Sequence, residues 1–544
     1  MRRYGLVLVL VLLVATGVRF YGLDAKALWL DEALSWRLQS FPIPMLIART
    51  GESTTVHPPL YFILLRFWTR LLGDSEFALR SLSGVAGVLT VLGTFLFVRE
   101  VMYFGDWNSP KDATGAAVRA GLLASALIGF NAFQICLSQQ VRGYTLGTLL
   151  LVLSSWALLR ALRVGNCRAA PWLWGGYALL ALGFCYTHSL ALFTVAAQGV
   201  FAVLYVRETG SRARESPVAP DSVGGASGQT ESRIPRRSQQ KAPGAVTHWR
   251  GPVLAGALLA VGYLPWVSNL LSQSEAVRTS WHTPTLQIQD YVDELHTAIL
   301  LTPAGGSPQS PVFAWGTAIA LGAVLAFAAL HRGWAGWYLI CAGCLPVLSI
   351  LVYCQFSDRN IFSARYFAFA QPMWLAAFAC VVAPVRFGTE RGLLVCLLLL
   401  WSAFSCWNSW DKIGRSAQPG MRGVVAYLSE RRSDDERVLA QTPFEYFKLL
   451  YYMRGASRPL LCVTQPGRHS QRGTSHLVDA DLVTLGDVLR SKPRGLWLVT
   501  SDSYDPTFQT EIRLSDPWQP TEHQRFPQDF HLERPITVTH YRRE

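Results

Sequence analysis

Charge is what this sequence has least of. Only 16% of its 544 residues are Asp, Glu, Lys or Arg, against about a quarter in a soluble domain, and long runs carry none at all. Length alone would suggest three or four soluble domains; the uncharged runs exclude them, and with them a soluble cytosolic enzyme. The 10 cysteines are scattered, mostly through apolar stretches, so neither a disulfide framework nor a thiolate metal site is spelled out. Cys341 and Cys344 have metal-like spacing but lie in an apolar segment without a second pair, and read as packing. No phosphate-binding glycine loop of the nucleotide type is present, which argues against a nucleotide-driven pump. No repeat of about 20–50 residues appears. The formal charge of +13 would suit nucleic acid, but the cations sit between apolar runs, which fits membrane topology better than a basic groove. No nucleic-acid partner is expected.

Hydrophobic residues make up 51% of the chain, and a helix that crosses a bilayer needs about 20 mostly apolar residues in succession. Runs at 4–18, 81–98, 120–141, 143–159, 251–274, 311–330, 333–357, 366–385 and 392–410 read as spans, and the uncharged stretch 169–206 reads as two. The expected fold is mainly α, a polytopic membrane bundle of about eleven spans. The first run also has the charged start and short apolar core of a signal peptide, but its cleavage site is poor and many spans follow. With the N-terminus in the cytoplasm, the inward-facing segments hold the larger share of Lys and Arg. The expected location is the plasma (inner) membrane. Residues 1–410 then form a transmembrane module with 19–80 as its first outer loop, and residues 411–544 form a small extracytoplasmic α/β domain. In that tail, strands are expected at 438–440, 459–463 and 496–500, and helices at 420–431, 444–454 and 481–490. Residues 207–250 mix Ser, Gly, Pro, Gln and Arg without period, which predicts a disordered cytoplasmic loop. Residues 60–72, apolar but broken by Arg66 and Arg70, predict an amphipathic helix at the interface.

Unusual polar residues collect on the outer side of this topology. The first outer loop contains Leu28-Trp29-Leu30-Asp31-Glu32-Ala33. A carboxylate in such surroundings suits a general base that deprotonates an acceptor hydroxyl or amine, with its neighbour positioning the acceptor or binding a metal. It equally suits the first turn of an ordinary helix. The loop continues to Val56-His57-Pro58-Pro59, where two prolines fix φ and hold His57 in a rigid turn; a turn histidine satisfied by backbone is the plain alternative. Further on come Glu76-Phe77-Ala78-Leu79-Arg80, Val141-Arg142-Gly143-Tyr144, Tyr186-Thr187-His188, Trp281-His282 and Ser363-Ala364-Arg365-Tyr366, all on the same outer side. A single arginine at a helix mouth commonly snorkels to the headgroups. Arg80, Arg142 and Arg365 together run against the positive-inside bias. They suit a bound anion such as a phosphodiester, which guanidinium forks bind with paired hydrogen bonds.

Taken in order, these segments resemble a known family. Arg19-Phe20-Tyr21-Gly22-Leu23 followed by LWLDEALS, then HPPLYFILLRFW, GDSEFALRSLSGVAGVL, SQQVRGYTLGTLL, YTHS, YLPW and SARYF, is similar to the GT-C glycosyltransferases. The nearest branch holds the protein O-mannosyltransferases and the lipid A aminoarabinose transferases. The likeness runs from about residue 5 to about residue 375, and more loosely to Gln418-Pro419-Gly420-Met421-Arg422-Gly423. It implies an integral membrane glycosyltransferase that moves a sugar, with inversion, from a polyprenyl-phosphate donor to a glycan, lipid or protein acceptor at the outer face. By matching position, Asp31 is the general base and Glu32 supports it or meets the acceptor. His57 belongs to the donor-site loop, Arg80, Arg142 and Arg365 are candidates for the donor phosphate, and Tyr144, His188 and Tyr366 fall in substrate-site motifs. No cofactor is implied; family members differ in metal dependence, and a divalent metal is compatible with the sequence without being indicated by it. Two positions depart from the pattern, Gln140 where many relatives carry Glu and Ser189 where an aromatic is common. Two other classes stay open. A lipid-linked sugar transporter or flippase calls for inverted repeats and mid-span charges, and a non-catalytic envelope assembly protein would not need Asp31.

Overall fold

The computed structural model describes residues 2–52, 57–105, 113–165, 167–215, 249–280, 287–300, 311–357, 362, 364–383, 388–408, 419–463, 476–501, 512, 514, 517–528 and 534–543. Through residue 408 the described elements are helical. α1 (Arg2–Phe20) is followed by three shorter helices, α2 (Leu30–Ser40), α3 (Ile43–Gly51) and α4 (Leu60–Leu72). Then come α5 (Glu76–Phe104), α6 (Ala113–Gly129), α7 (Ala132–Ser138), α8 (Tyr144–Val164), α9 (Ala170–Cys185) and α10 (Ala191–Glu215). After these run α11 (Arg250–Ser280), α12 (Ile288–Leu300), α13 (Pro311–His331) and α14 (Gly333–Ser357), a 3-10 turn (Ala364–Phe369), α15 (Gln371–Val382) and α16 (Gly388–Asn408). Among the described residues, seven helices are long and apolar enough to cross a membrane, or eight with the bent pair α6–α7 as one span. Shorter apolar helices in α9, α15 and α16 stand at the other expected spans.

Two expectations need correction. Residues 207–215 are not loop but the last part of α10, because Arg and Glu are good helix formers and prolong the apolar helix before them; residues 216–248 lie outside the described residues. Helices α3 and α12 were not foreseen, being short or amphipathic without a long apolar run; of α2, the sequence offers only the first turn at Asp31 and Glu32, as an alternative.

The bundle is closely packed around α5. Its inward stripe is built from Ser83, Gly84, Ala86, Gly87, Thr90, Gly93 and Thr94, all buried, and small residues let membrane helices approach closely. A Cβ at Gly87 would overlap Ser138 and Arg19. Thr90 and Thr94 satisfy their hydroxyls on the carbonyls of Ala86 and Thr90, each at 2.8 Å, so the stripe buries no unpaired hydroxyl there.

Residues 419–543 form a small α/β domain. It contains α17 (Gly420–Arg431), β1 (Arg437–Ala440), α18 (Pro443–Tyr452), β2 (Leu460–Val463), β3 (Leu482–Thr484), α19 (Leu485–Arg490), β4 (Gly495–Ser501), β5 (Trp518–Phe526) and β6 (Ile536–Arg543). One six-stranded sheet has the order β3-β2-β1-β4-β6-β5, parallel across β3-β2-β1-β4 and antiparallel at β6 and β5. The helix expected at 481–490 is split, because Leu482–Thr484 pairs with β2 before α19 begins. The domain does not stand apart from the bundle. Ala33 of α2 is fully buried in its apolar core beside Val424, Tyr446 and Phe447, with Leu30 and Leu34 packed around it.

Candidate active site

Five connections converge at one end of the bundle, and each ends in a residue singled out from the sequence. The α6–α7 break shapes one of them. The two helices are bent by 61°, and Asn131 caps α7 by accepting from the Gln134 N–H at 3.1 Å. The carbonyls of Gly129 and Ile128, left without helix partners, accept from buried Arg19 at 2.7 and 3.1 Å, a cation placed where it opposes the helix dipole. The chain then passes through residues 139–143. The Arg142 carbonyl accepts from the Ser83 hydroxyl at 3.2 Å, which in turn bonds the Tyr61 hydroxyl at 2.9 Å. Gly143 sits in a tight spot, since a Cβ there would lie 3.2 Å from Thr187 and 3.4 Å from Tyr61. The Leu60 N–H donates to the Tyr186 carbonyl at 3.0 Å, which ties the Pro58-Pro59 turn to the loop that carries His188.

Asp31 occupies the first turn of α2. One carboxylate oxygen lies 3.4 Å from Nη2 of Arg142 and 3.7 Å from Nη1 of Arg365. These are long ion pairs, and the Asp31 side chain keeps 22% of its surface exposed. Arg142 Nη2 also contacts His57 Nε2 at 2.6 Å. A guanidinium only donates, so His57 accepts through an unprotonated Nε2 and its ring is neutral. Burial, and then the charge of Arg142, hold the His57 pKa well below its ordinary value. His188 behaves alike: burial, then Arg142 and Arg365, push it down to about 3. Its Nδ1 accepts from the Leu190 N–H at 3.2 Å, which leaves the proton on Nε2. That buried atom has no hydrogen-bond partner among the described residues. The His188 ring is surrounded by His57, Tyr144, Tyr366 and Phe369 at 5.1, 5.4, 6.0 and 5.1 Å between centroids, and the Tyr144 phenol lies beside both Arg142 and Arg365. Among the described residues, two guanidiniums face one carboxylate, and the histidines beside them are neutral, so the positive charge is in excess.

Glu32 and Arg80 stand one step back from this group. Their side chains are 1% and 6% exposed. Arg80 donates from Nε and Nη2 to Glu32 at 2.8 and 2.6 Å, from Nη1 to the carbonyls of Leu23 and Lys26 at 2.6 and 2.9 Å, and from Nη2 to that of Ala27 at 3.2 Å. A guanidinium has five N–H donors, and all of them are used. Glu32 also accepts from the backbone N–H groups of Val141 and Trp29 at 3.1 and 3.4 Å. It thus joins the start of α2, the start of α5 and the Arg142 loop. Of the sequence candidates, Asp31, His57, Arg142, Tyr144, His188, Arg365 and Tyr366 come together in the pocket, while Glu32 and Arg80 form a saturated pair behind it. Ser83 and Tyr61, which hold the Arg142 backbone, were missed; nothing in their spacing separates them from other helix residues. Trp281 and His282 lie outside the described residues. Among the described residues no group of three His, Cys, Asp or Glu is arranged to hold a metal ion.

Residues 56–215 match the sequence model of a family described as dolichyl-phosphate-mannose-protein mannosyltransferase. No curated protein sequence matches the chain. Two crystal structures of ArnT from Cupriavidus metallidurans share its fold. The apo form has 13% identity, covers 99% of this chain and 98% of its own, and superposes with a TM-score of 0.54. The form bound to undecaprenyl phosphate has 12% identity, covers 97% of each chain and gives 0.53. With its bundle, its small C-terminal sheet domain and these matches, the chain is a multi-pass membrane protein that shares the fold of the ArnT structures and is similar to the mannosyltransferase family over residues 56–215.

Proposed function

We propose that the protein moves a sugar from a polyprenyl-phosphate carrier to an acceptor hydroxyl or amine in a single inverting displacement. The observation that carries this reading is the convergence of Arg142 and Arg365 on Asp31, at 3.4 and 3.7 Å, in a pocket of net positive charge. A phosphodiester bears one negative charge and would neutralise that excess. The two guanidiniums are already held in place, so they stabilise the charge that grows on the leaving phosphate without reorganising. The acceptor oxygen or nitrogen attacks the anomeric carbon, the bond from that carbon to the phosphate oxygen breaks, and the acceptor proton passes to Asp31. The carrier leaves as polyprenyl phosphate. His57 keeps Arg142 oriented by accepting from it. The unpartnered Nε2–H of His188 is a donor for a sugar hydroxyl or phosphate oxygen.

The undecaprenyl phosphate bound by ArnT and the family description both accord with a lipid-phosphate donor. In this reading residues 1–410 form the membrane catalytic module, the N-terminus is cytoplasmic, and the pocket and residues 411–544 face outward from the plasma (inner) membrane. The test is to incubate the purified protein with a panel of polyprenyl-phosphate sugars and follow transfer or donor hydrolysis, with Asp31→Asn beside it. The wild type should use one donor class and the variant none; equal rates in the two would remove Asp31 as base.

A further inference from the structure

The segment that leads into α2 is neither helix nor strand, yet five of its carbonyls in succession are taken. Leu23, Lys26 and Ala27 accept from Arg80 of the bundle. Asp24, Ala25 and Lys26 accept from Arg422 of α17. Five successive carbonyls are thus held by two guanidiniums, one from each part of the protein. The Lys26 carbonyl is shared between them, at 2.9 Å from Arg80 and 3.1 Å from Arg422. Each guanidinium is fixed by its own glutamate. Arg80 pairs with Glu32 at 2.6 Å, and Arg422 pairs at 2.7 Å with Glu76, which lies one helical turn before Arg80 on α5. Tyr452, at the end of α18, closes the arrangement: its hydroxyl accepts from the Leu28 N–H at 2.8 Å and donates to Glu76.

α2 has only 11 residues, and isolated helices shorter than about 12–15 residues are marginal. Its position, and with it that of Asp31, has to come from tertiary contacts. The bundle supplies part of these contacts, through Arg80 on Glu32 and through Arg66 and Thr69 on Gln39, and the C-terminal domain supplies the rest. Ala33 is buried in its core, Arg37 reaches Asp481 at 3.0 Å and the His476 carbonyl at 3.2 Å, and Arg422 and Tyr452 grip the approach. A domain that merely adhered to the bundle would meet side chains on its surface. This one holds main-chain atoms just ahead of the catalytic helix.

We propose that the C-terminal domain is a positioning element of the active site, with Arg422 and Tyr452 as positioning residues that place Asp31 without touching substrate. This rests on the assignment of Asp31 as the base. The test uses the full-length protein in lipid nanodiscs, with Tyr452→Phe, Arg422→Ala and Arg422→Lys. Tyr452→Phe removes a single oxygen and keeps the ring packing, so it remains informative should Arg422→Ala fold poorly. Hydrogen–deuterium exchange of peptides spanning 22–36 should quicken roughly tenfold or more in Tyr452→Phe and Arg422→Ala, while peptides from β1 and β4 exchange as in the wild type. For the donor that the wild type uses, kcat per folded molecule should fall about tenfold to a hundredfold, the scale of a misplacement of about 1 Å. The donor KM should stay within roughly twofold, and Arg422→Lys should recover part of the loss. Unchanged exchange overturns the proposal whether or not transfer is measured; faster exchange with wild-type kcat overturns it too. A wild type that transfers no sugar counts instead against the proposed reaction, and the exchange result still decides whether the domain holds the segment.

Discussion

Glu32→Gln and Asp31→Asn are the same chemical change one residue apart, and the structure predicts opposite outcomes. Glu32 accepts four contacts, two from Arg80 and one each from the Val141 and Trp29 backbones, with 1% of its side chain exposed. Gln keeps the shape but loses the charge, and its amide nitrogen turns a donor toward donors. Removing one member of a buried pair costs about 3–5 kcal/mol, because the other charge is left unpaired. Arg80→Leu should cost at least as much, since the carbonyls of Leu23, Lys26 and Ala27 lose their donor as well. Asp31 is partly exposed and its contacts are loose ion pairs, so Asp31→Asn should cost only about 1 kcal/mol. Transfer should nevertheless fall by about 10²–10⁴, the usual contribution of a general base. Thermal unfolding followed by tryptophan fluorescence, with transfer rates normalised to folded protein, separates the two. Glu32→Gln should unfold several degrees earlier while its folded fraction stays active, and Asp31→Asn should unfold near the wild type and be nearly inactive. A stable but inactive Glu32→Gln beside an unstable but active Asp31→Asn would refute the division of roles.

Arg142→Ala and Arg365→Ala should both weaken donor use, by about 2–4 kcal/mol or roughly 30- to 1,000-fold in kcat/KM. The larger loss is expected for Arg142, whose side chain is 11% exposed against 36% for Arg365; unchanged kinetics would mean that they only meet headgroups. Since burial and the two arginines depress His188 to about 3, the unfolded chain binds a proton below about pH 6.5 that the folded chain does not. Stability should fall as pH drops through that window, by about 1.4 kcal/mol per unit for such a group. His188→Gln should make this acid limb shallower in a pH series of unfolding midpoints, the remainder coming from His57, and an unaltered limb would mean that the folded His188 ring is charged. A topology reporter fused after residue 411 should be active only outside the cytoplasm, and activity inside would reverse the proposed orientation.

The spans were legible because hydropathy is a property of composition over about 20 residues, and every expected apolar run coincides with a helix or a helix pair. The tail was legible where its strands are buried and apolar, as in Leu496 to Val499 of β4. It was illegible at β5, an edge strand buried only at Trp518 and Phe526, with polar residues on both faces between them and so no alternation to read. α2 hid for a different reason. LDEALSWRLQS has a weakly apolar face, and that face is completed by residues of the C-terminal domain more than 380 positions later.

The candidate pocket was legible in its membership, since polar residues at span ends stand out against apolar surroundings, but not in its division of labour. Arg80, Arg142 and Arg365 look alike in the sequence, each an arginine at a helix mouth. What separates them is the kind of partner each one has. Arg80 spends all five on Glu32 and three carbonyls. Arg142 meets a neutral imidazole, the Tyr144 phenol and a carboxylate at 3.4 Å, and Arg365 lies beside the same phenol and 3.7 Å from the same carboxylate. An incoming phosphodiester competes with a loose ion pair at Arg142 and Arg365, but at Arg80 it would have to break a buried pair worth about 3–5 kcal/mol. Arg80 therefore belongs to the framework, and in the proposed reaction the anion meets the two arginines whose partner is a carboxylate that must itself be free to accept a proton.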